Sequence, residues 1–251
     1  MKIIANGFDI IPLMSGHSHW STIQRKKQAE DKKRGKLFSK LSREISLAVR
    51  SGGARLRLAV EDAKNANMPK VNIERAIKKG KGTGEKGRLE EVVYEGFGPG
   101  GVGIIVEAVT DNRQRTTAEI KKIFKKKGGS LAGPGAVCHK FKLMGSLAVE
   151  KRGDVDKMIL EIMDLGVEDI EEVEDVVEIY TKPKDLEKTR EKLESLGYKV
   201  KSFTLARKPL IEMPIKNRKT ADQILELMSI LEEHVDVQKI AANFDIDSEL
   251  L

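Results

Sequence analysis

What the chain lacks narrows it first. Cys138 is the only cysteine among 251 residues, so no internal disulfide can form and a disulfide-stapled fold is excluded. No apolar run has the length needed to cross a bilayer as a helix. The opening MKIIANGFDIIPLM makes a poor signal peptide, because Asn6 and Asp9 interrupt its apolar stretch and no small-residue cleavage site follows. Met14 offers a second start, MSGHSHW, which would leave residues 1–13 as an upstream extension. The expected location is cytoplasmic.

Catalytic signatures are missing too. There is no H-E-x-x-H, no G-x-S-x-G and no Walker loop, and none of the four histidines stands in a nucleophile motif. GFGPGG at 96–101 satisfies G-x-G-x-x-G, but its glycines run into the strand-like VGIIVEAV. A dinucleotide fingerprint needs a helix there to hold the pyrophosphate. The stretch therefore reads as a tight hairpin. His17 and His19, even with Cys138, His139 or His234 brought near, lack the paired spacing of a zinc site. No enzymatic activity, cofactor, metal or small-molecule substrate is expected.

What the chain has is charge, unevenly spread. The formal net charge is +7. Residues 16–81 hold 18 basic against 6 acidic side chains, whereas residues 82–251 hold 27 against 32. A cationic third on a mildly acidic body is the pattern of a polyanion-binding module.

Hydrophobic spacing divides the chain. Leu37, Leu41, Ile45, Ala48 and Val49 make one helical stripe within 21–50. Two shorter helices follow around 56–66 and 73–77, ended by NMP at 67–69 and by Gly80. KGKGTGEKG at 79–87 reads as a linker, and beyond it the period changes. Strands are expected at 92–94, 102–110, 137–143, 146–149, 167–170, 176–180 and 198–205. Helices are expected at 115–127, with Thr116 and Glu119 as a capping box, and at 154–165 and 183–196. This order contains the ferredoxin-like βαββαβ unit. A strand near Leu210, a helix at 220–234 and a strand at 239–244 would complete a second sheet begun before it. The expected fold class is α+β in three domains: an N-terminal helical domain, then two ferredoxin-like α/β domains, the third inserted in the second. Their boundaries are an extension at 1–16, the basic helical domain at 17–80, a discontinuous domain at 88–133 and 207–251, and the acidic inserted domain at 134–206.

Two stretches offer cations to phosphate. Arg25, Lys26, Lys27, Lys32, Lys33, Arg34, Lys36 and Lys40 crowd a segment with little apolar content and few acidic neighbours. Such a helix repels itself unless an anion relieves it; the alternative is an ordinary solvated face. In the second stretch, Asn112, Arg113 and Arg115 precede a helix N-terminus whose free N–H groups suit an anion. Trp20 reads as an anchor for the basic arm.

The stretches GHSHW, DKKRGKLFSKLSREI, RLRLAVEDAKNANMPKVNIERAIKKG, YEGFGPGGVGIIVEAVTDNRQRTTAEI, KKGGSLAGPGAV and ANFDI span nearly all of 16–245. Together they resemble the YebC family, which includes the mitochondrial translational activator of cytochrome oxidase subunit one. The resemblance implies a cytoplasmic three-domain protein, helical then twice α/β. Members are described as transcriptional regulators that bind DNA, and some act on translation at the ribosome. It implies no activity or cofactor. His19 stands where many members carry Lys, and Ala54 alone fills a place where members usually have a longer loop. The reading is thus a non-enzymatic regulator that binds DNA or structured RNA, the ribosome's included. The alternative is a protein–protein scaffold whose basic domain docks an acidic partner.

Overall fold

The computed structural model describes residues 30–82, 89–173 and 175–246. Arg25, Lys26, Lys27, His17, His19, Trp20 and most of the linker lie outside the described residues, and Lys32, Lys33 and Arg34 are described by backbone alone.

Helices α1 (Glu30–Ser51), α2 (Gly53–Asn65) and α3 (Lys70–Lys81) form the first unit. Ile45 and Ala48 on α1 close on Ala59 and Ala63 of α2 and on Ile73 and Ala76 of α3. Small side chains let these helices approach closely. Gly80 takes this furthest: a Cβ there would lie 2.4 Å from the Ser46 carbonyl oxygen. The expectation that Gly80 stops its helix is corrected, since α3 runs through it to Lys81 and uses it for contact with α1.

Strands β1 (Glu90–Phe97) and β2 (Gly103–Thr110) come next. They pair antiparallel, with Phe97 opposite Gly103. Gly100 and Gly101, at φ 72 and 79, close the turn in the left-handed region that glycine enters without strain. GFGPGG is a hairpin. Then α4 (Arg113–Lys126) leads to β3 (Ser130–Ala132).

The chain next builds a second sheet from β4 (Phe141–Glu150), β5 (Asp169–Val173), β6 (Val176–Thr181) and β7 (Val200–Pro209). Helices α5 (Val155–Met163) and α6 (Leu186–Ser195) connect them. Its antiparallel order, β5-β6-β4-β7, is that of the ferredoxin-like βαββαβ unit. After β8 (Met213–Ile215) and α7 (Arg218–Glu233), β9 (Val237–Ala242) returns to the first sheet. That sheet reads β3-β1-β2-β9, and β10 (Phe244–Ile246) pairs with β8 apart from it. The architecture is α+β.

Ile120 and Phe124 of α4 and Ile224, Leu227 and Leu231 of α7 bury against Val92, Ile104, Val106 and Ile240. Each such side chain contributes on the order of 1.5–3 kcal/mol. Both sheets thus carry two helices on one face, reached by different connections.

Two strand expectations shift. The run 137–143 is broken by a turn of 3-10 helix at Cys138–Lys140 before β4 begins. The cause is Glu95, a buried side chain whose carboxylate accepts N–H bonds from Gly135, Val137 and Cys138 at 2.7, 2.6 and 2.7 Å. Burial alone would raise its pKa, and these donors outweigh that and hold it down. Leu210 lies in an exposed connection, and the strand there starts at Met213.

Candidate nucleic-acid interface

On α1, residues 36, 40, 43, 47 and 50 recur every three or four positions and share one side of the helix. This side does not face solvent alone. Lys36 Nζ lies 3.4 Å from Glu233 Oε2. Lys40 Nζ donates to the Glu232 carbonyl oxygen at 2.6 Å. Arg43 Nη1 sits 3.0 Å from Asp236 Oδ1 and donates to the Val109 carbonyl at 3.2 Å. Leu47 packs on Leu89 and Val109, and Arg50 donates to the Leu89 carbonyl at 3.1 Å. The stripe therefore clamps the helical unit to the end of the first sheet and to the C-terminal turn of α7. Cations suit that turn, because the last carbonyls of a helix are left without intrahelical donors. Burial lowers the Lys40 pKa from 10.5 to about 8, against the pull of Glu232.

Asp236 is the centre of the clamp. Its side chain is fully buried, takes the Thr116 hydroxyl at 2.6 Å and pairs with Arg115 Nη2 at 2.9 Å. Burial would push its carboxyl pKa up; the bonds from Thr116 and Arg115 and the charge of Arg43 outweigh this and hold it below the usual range. His234 Nδ1 accepts the Asp236 backbone N–H at 3.2 Å, and its Nε2 meets Glu119 Oε2 at 2.9 Å. Glu119, His234 and Asp236 bring three ligand-type atoms within 4.8 Å. Two guanidinium groups already occupy the carboxylate of Asp236, and a backbone N–H occupies His234. The trio is a hydrogen-bonded ionic network, with the positive charge supplied by arginine.

The second candidate stretch is built into the same network. Asn112 Oδ1 accepts the Arg115 N–H at 3.0 Å and caps α4. The capping box at Thr116 and Glu119 is therefore corrected: the cap is Asn112, four residues earlier, and Thr116 points its hydroxyl at Asp236 instead. Arg115 also pairs with Asp111 at 2.9 Å. It acts as an internal strut, while Arg113 is exposed and has no ion pair among the described residues.

Unpaired cations gather elsewhere. Arg57 and Lys64 on α2, and Arg75, Lys78, Lys79 and Lys81 on α3, are exposed and form no ion pair among the described residues. On α4, Lys121, Lys122, Lys125 and Lys126 are likewise exposed and unpaired among the described residues, whereas Lys127 pairs with Glu226. Sequence reasoning left the α2–α3 set out of the site; its signal is the cluster KKGK at 78–81. The second sheet behaves differently. Lys142, Lys151, Lys199 and Lys208 pair with Glu168, Glu172, Glu150 and Glu171 at 2.7–3.0 Å.

Comparison with known proteins places the chain. The TACO1/YebC N-terminal domain matches residues 18–83, and the TACO1/YebC second and third domain matches residues 89–244. A "Probable transcriptional regulatory protein" of Halothermothrix orenii is 45% identical over 247 residues, covering 95% of this chain and 98% of that protein. Proteins of the same name from Aquifex aeolicus and Dictyoglomus thermophilum are 46% and 47% identical, with the same coverage. The crystal structure of a conserved hypothetical protein from Aquifex aeolicus matches with a TM-score of 0.82 at 44% identity, over 90% of this chain and 96% of that one. With two family domains in order along it and full-length relatives at this identity, the chain belongs to the TACO1/YebC family.

Proposed function

We propose that this protein is a non-enzymatic regulator of gene expression that holds the phosphate backbone of DNA or structured RNA on its basic helices. The outward cations of α2 and α3 form the core of the surface. Arg113 and the lysines of α4 extend it, and Arg25, Lys26, Lys27, Lys32, Lys33 and Arg34, whose side chains lie outside the described ones, are further candidates from the sequence. The observation that carries this reading is the set Arg57, Lys64, Arg75, Lys78, Lys79 and Lys81, exposed on two adjoining helices and without an ion pair among the described residues, whereas Lys142, Lys151, Lys199 and Lys208 of the second sheet pair with carboxylates. The names of the relatives, probable transcriptional regulatory proteins, agree with a regulatory role.

The mode is backbone and shape recognition. Within the described helical unit the only aromatic side chain, Phe38, packs against the core, so the described part of the unit offers no ring for stacking bases. Affinity then comes from counterion release and tolerates many sequences. Structured RNA, the ribosome's included, satisfies this chemistry as well as duplex DNA does.

Ultraviolet crosslinking to a DNA duplex and to an RNA hairpin, followed by peptide mapping, tests the reading. Crosslinks are expected within 53–82 and 113–126, and their relative yield on the two probes ranks the targets. Crosslinks confined to 141–209 would overturn it. A cellular complex that survives nuclease would favour an acidic protein partner instead.

A further inference from the structure

The clamp on α1 uses cations that face the same kind of partner as the proposed surface does. Lys36, Lys40 and Arg43 meet Glu233, the Glu232 carbonyl and Asp236 within 3.4 Å. Seen from α1, the end of α7 and the turn that follows it present an anion-like surface: the Glu233 carboxylate, the Glu232 carbonyl and, just beyond the helix, the Asp236 carboxylate. We propose that this turn is an autoinhibitory latch, an internal substitute for a phosphate backbone that is displaced when the true polyanion binds. The inference rests on the functional reading above and adds its regulation.

The make-up of the contact supports a joint that opens. Among the described residues, Leu47 against Leu89 and Val109 is its apolar part, and the rest is ionic or hydrogen-bonded. Two further contacts of the helical unit with the rest of the molecule, Arg55 with Glu91 of β1 and Glu61 with Arg190 of α6 at 3.5 Å, are ionic as well. The unit's own core is apolar and closed within its three helices. Polar inter-domain contacts of this kind separate more readily than apolar ones, and a polyanion competes for the same cations. The desolvated ammonium of Lys40, already lowered to about 8, gains hydration or a phosphate partner on release. In the latched form α3 presents its cations at once, while those of α1 join only after release.

The test compares two variants with the same change in net charge. Glu233→Gln removes a latch carboxylate, whereas Asp222→Asn removes one on the same helix that is exposed and forms no ion pair among the described residues. Affinity for a short DNA duplex is measured by fluorescence anisotropy at one salt concentration. Glu233→Gln should bind tighter than Asp222→Asn by roughly two- to fivefold, the range spanned by an exposed ion pair. In parallel, dyes at Asn65→Cys and Gln223→Cys, with Cys138→Ser, report the distance between α2 and α7 by energy transfer. Duplex should lower the transfer. If the protein binds duplex but the two variants bind alike and transfer is unchanged, the latch is wrong and the functional reading stands. Binding by Glu233→Gln alone supports the latch. No binding by any form overturns the functional reading and the latch with it.

Discussion

Lys36, Lys40, Arg43 and Arg50 on α1 and Arg75, Lys78, Lys79 and Lys81 on α3 are two sets of four cations from one basic segment. Their fates in the fold are opposite. The α1 set is spent on the end of the first sheet and the C-terminal turn of α7. The α3 set is exposed and unpaired among the described residues. The difference teaches that positive charge counted along a sequence is not the charge available to a partner. What decides is whether the fold brings a carboxylate or a helix C-terminus to the same face.

The largest effect should follow from breaking the engaged set at its centre. Asp236→Ala leaves Arg43 and Arg115 facing an empty buried position and frees the Thr116 hydroxyl. Removing one partner of a buried pair costs about 3–5 kcal/mol. Partial exposure of both arginines, at 20% and 41% of their side chains, places this case near about 3 kcal/mol. Denaturant unfolding checks it. Glu74→Ala, which removes only the exposed partner of Lys70 beside the free α3 set, should cost less than about 0.5 kcal/mol. Equal costs for the two would erase the distinction between the sets.

A smaller effect separates the sets by pH. In the folded protein Lys40 has a pKa lowered from 10.5 to about 8 by burial. Between those values the unfolded chain binds more protons than the folded one, so stability rises with pH across that window. The penalty is present in full below about 8 and gone above 10.5. Lys40→Met should flatten this rise, and Lys79→Met, at an exposed position of α3, should leave it as in the parent. Unfolding free energies at several pH values between about 8 and 10.5, the window that Lys40 sets, measure it.

Much of this was legible from the sequence, for reasons that particular residues make plain. The hairpin at GFGPGG could be read because a strand pattern follows the glycines without interruption. The βαββαβ order could be read because Leu147, Val149, Val177 and Ile179 alternate at strand period while Met158 and Ile162 keep helical spacing. The family could be read from long matching stretches. The clamp could not. Lys36 and Glu233 are 197 positions apart, and nothing in local spacing announces that the start of one unit closes on the last turn of α7. Arg115 misled for the same reason, since its partner Asp236 lies 121 positions away. Short-range pattern fixes elements and their faces. It does not say which charged faces meet.

The salt dependence of duplex binding tests the central claim most directly. Replacing Arg75, Lys78, Lys79 and Lys81 with Gln keeps helix propensity nearly intact and leaves every described clamp contact in place. Each phosphate contact adds about 0.9 to the steepness of the log–log plot of affinity against salt. The variant's slope should therefore be shallower than the parent's by about 3 to 4. The same exchange at Lys182, Lys184, Lys188 and Lys192, beside the second sheet, should change the slope by less than about one. A parental slope in the α3 variant, or an equal loss in the second-sheet control, would contradict the account.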